Sequence, residues 1–165
     1  WKPVITAVNG ICNAGAFYFI YDSDIVICSE NATFFDSHVS YGLVSSLEPI
    51  GLTRKIPLSE TLRIALMGLD ERMSSQRAYQ IGLVSEVVPL ADLLPTAERL
   101  AATIASHPPI AVQGTVQAIW RSLEMGRTAA LEMGAMYPKI GNTEENLRLL
   151  PERAARKDRP KWRLR

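Results

Sequence analysis

Three positions carry groups able to handle a carbonyl and a proton. Gly15 lies in the small-residue run Ala14-Gly15-Ala16, between an apolar stretch over 4–8 closed by Asn9-Gly10 and an apolar helix start at Phe17. The first backbone N–H groups of a helix have no internal partner, and the helix dipole favours negative charge beside them. Small residues let a ligand oxygen approach, so the turn suits an oxyanion formed from a carbonyl. The alternative is a close-packed turn whose residues are small only because a helix abuts a strand. His38, in Asp36-Ser37-His38, can act as acid or base near neutral pH. Asp36 shares its side on a strand, whereas on a loop the relation is open, and a loop histidine bonded to backbone is the competing reading. Glu48 precedes Pro49, which suits the first turn of a helix. A negative charge there is favourable by ~0.3–1 kcal/mol without any further role.

These groups need a scaffold. Residues 24–28 and 32–35 read as short buried strands. Leu62, Ile64, Ala65 and Leu66 predict a helix over 59–67, ended by Gly68. Ser74 or Ser75 can cap a short helix running through Ala78 and Ile81 to Gly82. Residues 83–88 alternate as a strand up to Pro89. From Asp92 onward Leu93, Ala97, Leu100, Ala101 and Ile104 recur at helical spacing as far as Pro108-Pro109. Helices over 110–122 and beyond Arg127, a break over 137–142 and a helix over 144–150 capped by Thr143 complete the pattern. No repeat or low-complexity segment interrupts it. Strands mixed with short helices, then helices alone, predict an α/β fold with a core over 1–90 and a helical region over 91–165.

At 165 residues the chain can bury a substantial core. An apolar content of 47%, with 21% charged residues, indicates a soluble globular protein rather than a disordered one. A net charge of +1 gives no bulk electrostatic reason to expect nucleic acid or a membrane as partner. Cys12 and Cys28 read as small buried apolar residues, and no Cys/His cluster has metal-ligand spacing. The lack of a bilayer-length apolar run or a secretory leader suggests a cytoplasmic protein. Trp1 is not a translation start, which suggests that the chain begins inside a longer one.

Lys2-Pro3-Val4-Ile5, Ala7-Val8-Asn9-Gly10 and the triplet Ala14-Gly15-Ala16 resemble the signature of the crotonase (enoyl-CoA hydratase/isomerase) superfamily. Further landmarks follow in family order: Asp22-Ser23-Asp24-Ile25, Glu30-Asn31-Ala32-Thr33-Phe34, Gly42-Leu43-Val44, Ser74-Ser75-Gln76-Arg77-Ala78 and Gly82-Leu83-Val84-Ser85-Glu86-Val87-Val88-Pro89. The resemblance implies the ClpP/crotonase spiral core with a C-terminal helical oligomerisation region, starting midway so that the N-terminal part of the fold is absent. Without those upstream strands, sheet edges would stay unpaired unless another segment or subunit covers them. It further implies an acyl-CoA substrate, with coenzyme A as the thioester's carrier and no separate cofactor, and a homo-trimer or hexamer. Gly15 N–H would be half of an oxyanion hole, and Ala14, Ala16, Tyr18 and Leu43 would border the substrate.

The family's hydratases use two carboxylates. The resemblance places them two or three residues beyond the middle of the triplet, where Phe17 and Tyr18 stand, and four residues before Gly42, at His38. Neither position holds a carboxylate. Glu48 replaces part of a Gly-rich run over the acyl pocket, near where family isomerases carry a lone carboxylate. The expected catalytic set is therefore Gly15, His38 and Glu48, serving double-bond isomerisation or hydration. A catalytically inactive acyl-CoA-binding protein is the alternative. Phe17, Tyr18, Phe34, Phe35 and Tyr41 suit either an aromatic pocket or a core, and Arg54-Lys55 a solvated or inter-subunit face. Lys157, Pro160 and Trp162 resemble the family's C-terminal ending, which can approach coenzyme A.

Overall fold

The computed structural model describes residues 1–155 and 163–164; the tail residues Lys157, Pro160 and Trp162 lie outside the described residues. Two compact units are present, Pro3–Ile104 and a second comprising Trp1–Lys2 with Ala105–Arg165.

The first unit is α/β. The chain enters β1 (Ile5–Val8), turns into β2 (Ile11–Asn13), passes the helical turn Ala14–Ala16 and continues as α1 (Phe17–Tyr21). β3 (Ile25–Ser29) and β4 (Thr33–Phe35) repeat the move. β3 pairs in parallel with β1, Ile5 opposite Ile25 and Val8 opposite Cys28. β4 pairs in parallel with β2, Ile11 opposite Thr33 and Asn13 opposite Phe35. Each turn of chain thus adds one strand to each of two sheets, which is a spiral. After the turn His38–Tyr41 come α2 (Leu47–Leu52), α3 (Leu58–Met67), the turn Gly68–Asp70, β5 (Met73–Ser74), α4 (Ser75–Gln80), β6 (Glu86–Val88) and α5 (Leu90–Ala105). The sheets are ordered β1-β3-β6 and β2-β4-β5, with only β4 and β5 antiparallel.

Local rules explain the boundaries. Ser74 caps α4 by accepting the Arg77 N–H at 3.2 Å. Gly68 and Gly82 end α3 and α4 with positive φ, which costs glycine little. The strand expected over 83–88 is only Glu86–Val88. Leu83 and Val84 instead turn back to donate both N–H groups to the Ala78 carbonyl, and they bury their side chains there. The core gathers Cys12, Phe17, Ile20, Val26, Cys28, Phe34, Leu52, Ile56 and Ile64. Phe17 and Ile20, three apart on α1, are fully buried. Burying such side chains contributes about 1.5–3 kcal/mol each, which anchors the turn before them. The packing division falls after Ile104 rather than near residue 90, because α5 buries Leu93 and Thr96 and brings Arg99 to 3.6 Å from Glu86 of β6.

The second unit is helical: α6 (Pro109–Ser122), α7 (Arg127–Gly134), α8 (Met136–Gly141), α9 (Glu144–Arg148) and α10 (Leu150–Ala155). The break expected over 137–142 is instead helix α8. Pro138 sits in its first turn, where the missing N–H would have had no helical partner. Thr143 caps α9 by accepting the Asn146 N–H at 3.3 Å. No helix among the described residues is long and apolar enough to cross a membrane.

Candidate active site

Parallel pairing of β2 with β4 sets their C-terminal ends side by side, and loops leaving such ends are where α/β sheets hold ligands. Gly15 lies in the loop after β2, and His38 in the loop after β4. The two loops are tied directly: the Ser37 N–H donates to Asn13 Oδ1 at 3.2 Å.

In the first loop Asn13 is extended and Ala14 takes a left-handed φ of 48° before the chain turns helical. Gly15 is exposed, and as the second residue of its helical turn its N–H has no partner from within the turn. A Cβ at Gly15 would meet only the Tyr18 ring, at 3.9 Å. Ala16 packs against the buried cluster, so its methyl belongs to the core. Tyr18 is partly exposed on the outer face of α1, and its ring lies 5.4 Å from that of Tyr21.

In the second loop Asp36 is 1% exposed and organises its surroundings. Its Oδ1 accepts the His38 backbone N–H at 3.0 Å and contacts His38 Nδ1 at 2.5 Å. Its Oδ2 accepts the hydroxyl of Ser45. The His38 side chain remains 25% exposed. Leu43, expected beside the acyl chain, is exposed, and its N–H donates to the His38 carbonyl at 3.0 Å. Gly42, at a φ of 71°, makes that outward turn.

Glu48 lies in the first turn of α2 and is 8% exposed. Tyr21 of α1 lies across α2 at Gly51, so close that a Cβ there would fall 2.3 Å from its ring. Burial raises the Tyr21 phenol pKa, and Tyr18, Asp22 and the Glu48 charge push it the same way. Glu48 thus lies near enough to Tyr21 for its charge to act on that phenol.

Of the expected aromatic pocket, Phe17, Phe34 and Phe35 are core, while Tyr18 and Tyr41 reach solvent. Lys55 was expected on a solvated or inter-subunit face, but it is half-buried and its Nζ donates to the Ser23 carbonyl at 2.7 Å. Burial lowers its pKa. Cys12 and Cys28 are buried free thiols, raised to about 12 and about 11 by burial. Among the described residues no group of three or more His, Cys, Asp or Glu could hold a metal ion. Sequence reasoning missed Asn13 and Ser45 as parts of the site. Asp36, two residues before a histidine, left a visible signal; Ser45, nine residues away, left none.

The family model described as Enoyl-CoA hydratase/isomerase matches residues 1–162. A crystal structure of an enoyl-CoA hydratase/isomerase from Mycobacterium paratuberculosis is similar at a TM-score of 0.90 and 43% identity, over 99% of this chain and 65% of that one. A mevalonyl-coenzyme A hydratase of Aspergillus fumigatus is 32% identical over 98% of this chain and 60% of its own length. An (E)-benzylidenesuccinyl-CoA hydratase of Thauera aromatica is 35% identical over 85% and 53%. The chain therefore spans less than two thirds of the length of these relatives. Its two-sheet spiral is the crotonase fold, and the chain belongs to the enoyl-CoA hydratase/isomerase family.

Proposed function

We propose that this chain carries the oxyanion and proton-transfer groups of an acyl-CoA-processing enzyme of the hydratase/isomerase type. The observation that carries the reading is the junction of the Gly15 and His38 loops through Asn13 and Ser37 at 3.2 Å. The thioester carbonyl accepts the Gly15 N–H. When a proton leaves the carbon next to the thioester, the C–H electron pair passes into an enolate whose oxygen faces that donor. His38 takes or returns the proton through its exposed ring edge. Glu48, buried beside Tyr21, is the second acid/base, able to handle water or a more distant proton. Coenzyme A is the substrate's carrier, and no resident cofactor enters the scheme.

The printed names of the curated relatives are those of a hydratase of mevalonyl-coenzyme A and one of (E)-benzylidenesuccinyl-CoA. They favour reversible addition of water over double-bond migration. A homo-trimer or hexamer fits the second unit, whose α6 to α10 bury none of their residues.

Turnover of enoyl-CoA thioesters by the whole protein, with hydration and double-bond migration followed separately, tests the reading. Hydration lost in both His38→Ala and Glu48→Gln is the expected result. Migration lost only in Glu48→Gln would move the assignment to an isomerase with His38 outside the chemistry. Acyl-CoA binding with no turnover of any thioester would replace the enzyme by a binding protein.

A further inference from the structure

We propose that Asp36 and Ser45 are positioning residues that reserve His38 Nε2 as the single ring atom exchanging a proton with substrate; this rests on the reading of His38 given above.

The hydrogen-bond accounting around Asp36 leads there. Oδ1 receives two groups from one residue, the His38 backbone N–H at 3.0 Å and the ring Nδ1 at 2.5 Å. Oδ2 receives the Ser45 hydroxyl. The backbone N–H of His38 is an obligate donor to this carboxylate, and an ionised carboxylate only accepts, so the ring contact at Oδ1 and the Ser45 hydroxyl at Oδ2 are donors to it as well. Nδ1 must then carry the hydrogen, and in the neutral ring the lone pair lies on Nε2. Gripping backbone and ring of residue 38 through the same oxygen also fixes the ring plane. Asp36 cannot drift, because it follows directly from β4, is 1% exposed and is held from the far side by Ser45. The His38 side chain, 25% exposed, presents its remaining edge outward, and among the described residues Nε2 has no hydrogen-bond partner. When Nε2 accepts a proton, the ring becomes imidazolium directly against the Asp36 carboxylate; when it gives the proton back, the Nδ1–H form is restored without rotation. A histidine so held does in one place what a carboxylate does in the family's hydratases.

Asn at position 36 discriminates between charge and geometry. Its carbonyl oxygen can replace Oδ1 and keep both His38 donors, while its NH2 meets Ser45, whose hydroxyl can turn to accept. The charge is lost and the grip retained. Ala at position 36 removes both.

The test uses the whole protein labelled with 15N-histidine. This chain has two histidines, and His38→Gln assigns their signals. In the wild type neutral His38 is expected as the Nδ1–H tautomer. Asp36→Asn should keep that tautomer and an unchanged KM for an enoyl-CoA, with kcat between those of the wild type and Asp36→Ala. Asp36→Ala should lose the tautomer preference and lower kcat by ~10²-fold, the lower end of a general acid–base contribution. Ser45→Ala should fall on the same side with a smaller effect. An Nε2–H tautomer in the unmodified protein overturns the proposal without reference to any variant's folding. Inactive His38→Gln beside fully active Asp36→Ala overturns the proposal and leaves the reading of His38 intact. Wild-type turnover in His38→Gln overturns that reading itself, and the proposal with it.

Discussion

Asn13 and Ser37 join the two loops of the site with a single hydrogen bond, Ser37 N–H to Asn13 Oδ1 at 3.2 Å. The bond is available because Asn13 ends β2 directly opposite Phe35, which ends β4. Gly15 and His38 each lie a short step beyond those ends. The separation between the Gly15 and His38 loops is therefore set by strand register and closed by one side chain.

Asn13→Ala removes that side-chain acceptor and leaves the strands paired. A single hydrogen bond contributes about 0.5–1.5 kcal/mol net, so stability should fall within that range in urea titration. Turnover should fall further than stability, because the two loops lose their common reference. Unchanged kcat would show that the strands alone hold the loops in place.

Ala14 holds a left-handed φ of 48°, a conformation costing L-residues roughly 1–2 kcal/mol. Glycine avoids that cost but has more freedom to lose on folding, roughly 0.5–1 kcal/mol. Ala14→Gly should therefore be neutral to slightly stabilising, and Ala14→Val clearly destabilising, because β-branched residues fit this region poorly. Midpoints of thermal unfolding would rank the three; Ala14→Val matching wild type would mean the turn adopts another conformation.

Gly15 and Gly51 should respond oppositely to a methyl group. A Cβ at Gly15 stands 3.9 Å from its nearest ring atoms, whereas at Gly51 it would fall 2.3 Å from Tyr21. Gly15→Ala should keep stability and report only on acyl-CoA chemistry. Gly51→Ala should cost about 1–3 kcal/mol as overpacking and displace Tyr21 from beside Glu48. Denaturant unfolding with tyrosine fluorescence measures both; a neutral Gly51→Ala would refute the Tyr21 contact.

The two thiols predict an alkaline limit. Burial raises Cys12 to about 12 and Cys28 to about 11 from an ordinary 9.0, so the folded state holds their protons more tightly than the unfolded chain. Their stabilising contribution is complete below pH 9 and is lost as pH rises through 11 and 12, at up to ~1.4 kcal/mol per pH unit for each thiol. Urea midpoints at pH 8 to 11 should fall in the wild type and flatten in a Cys12→Ala, Cys28→Ala double variant. Thiol reagents should label neither cysteine until the protein unfolds. Rapid labelling of the native protein at pH 8 would contradict this burial.

Features depending on neighbours a few residues apart were legible in the sequence. The strand, small-residue turn and helix around Gly15, the caps Ser74 and Thr143, and the helix stops at Gly68 and Gly82 all stand where spacing and residue type put them. Strands β2 and β5, of three and two residues, were not legible, because elements so short have no periodicity to read. Nor was α8, which replaces the break expected over 137–142 and holds Pro138 in its first turn, where a missing N–H costs little.

The candidate site divides in the same way. Gly15, His38 and Glu48 could be named from residue type, local context and family pattern. That Asp36 faces Ser45, Asn13 faces Ser37, Tyr21 lies on Gly51 and Lys55 reaches Ser23 was decided only by the tertiary structure. Each of these contacts joins residues on different elements or loops, and no spacing along a chain records which loop another will face. Parallel strand register and helix packing choose those partners, and they exist only once the sheets have formed.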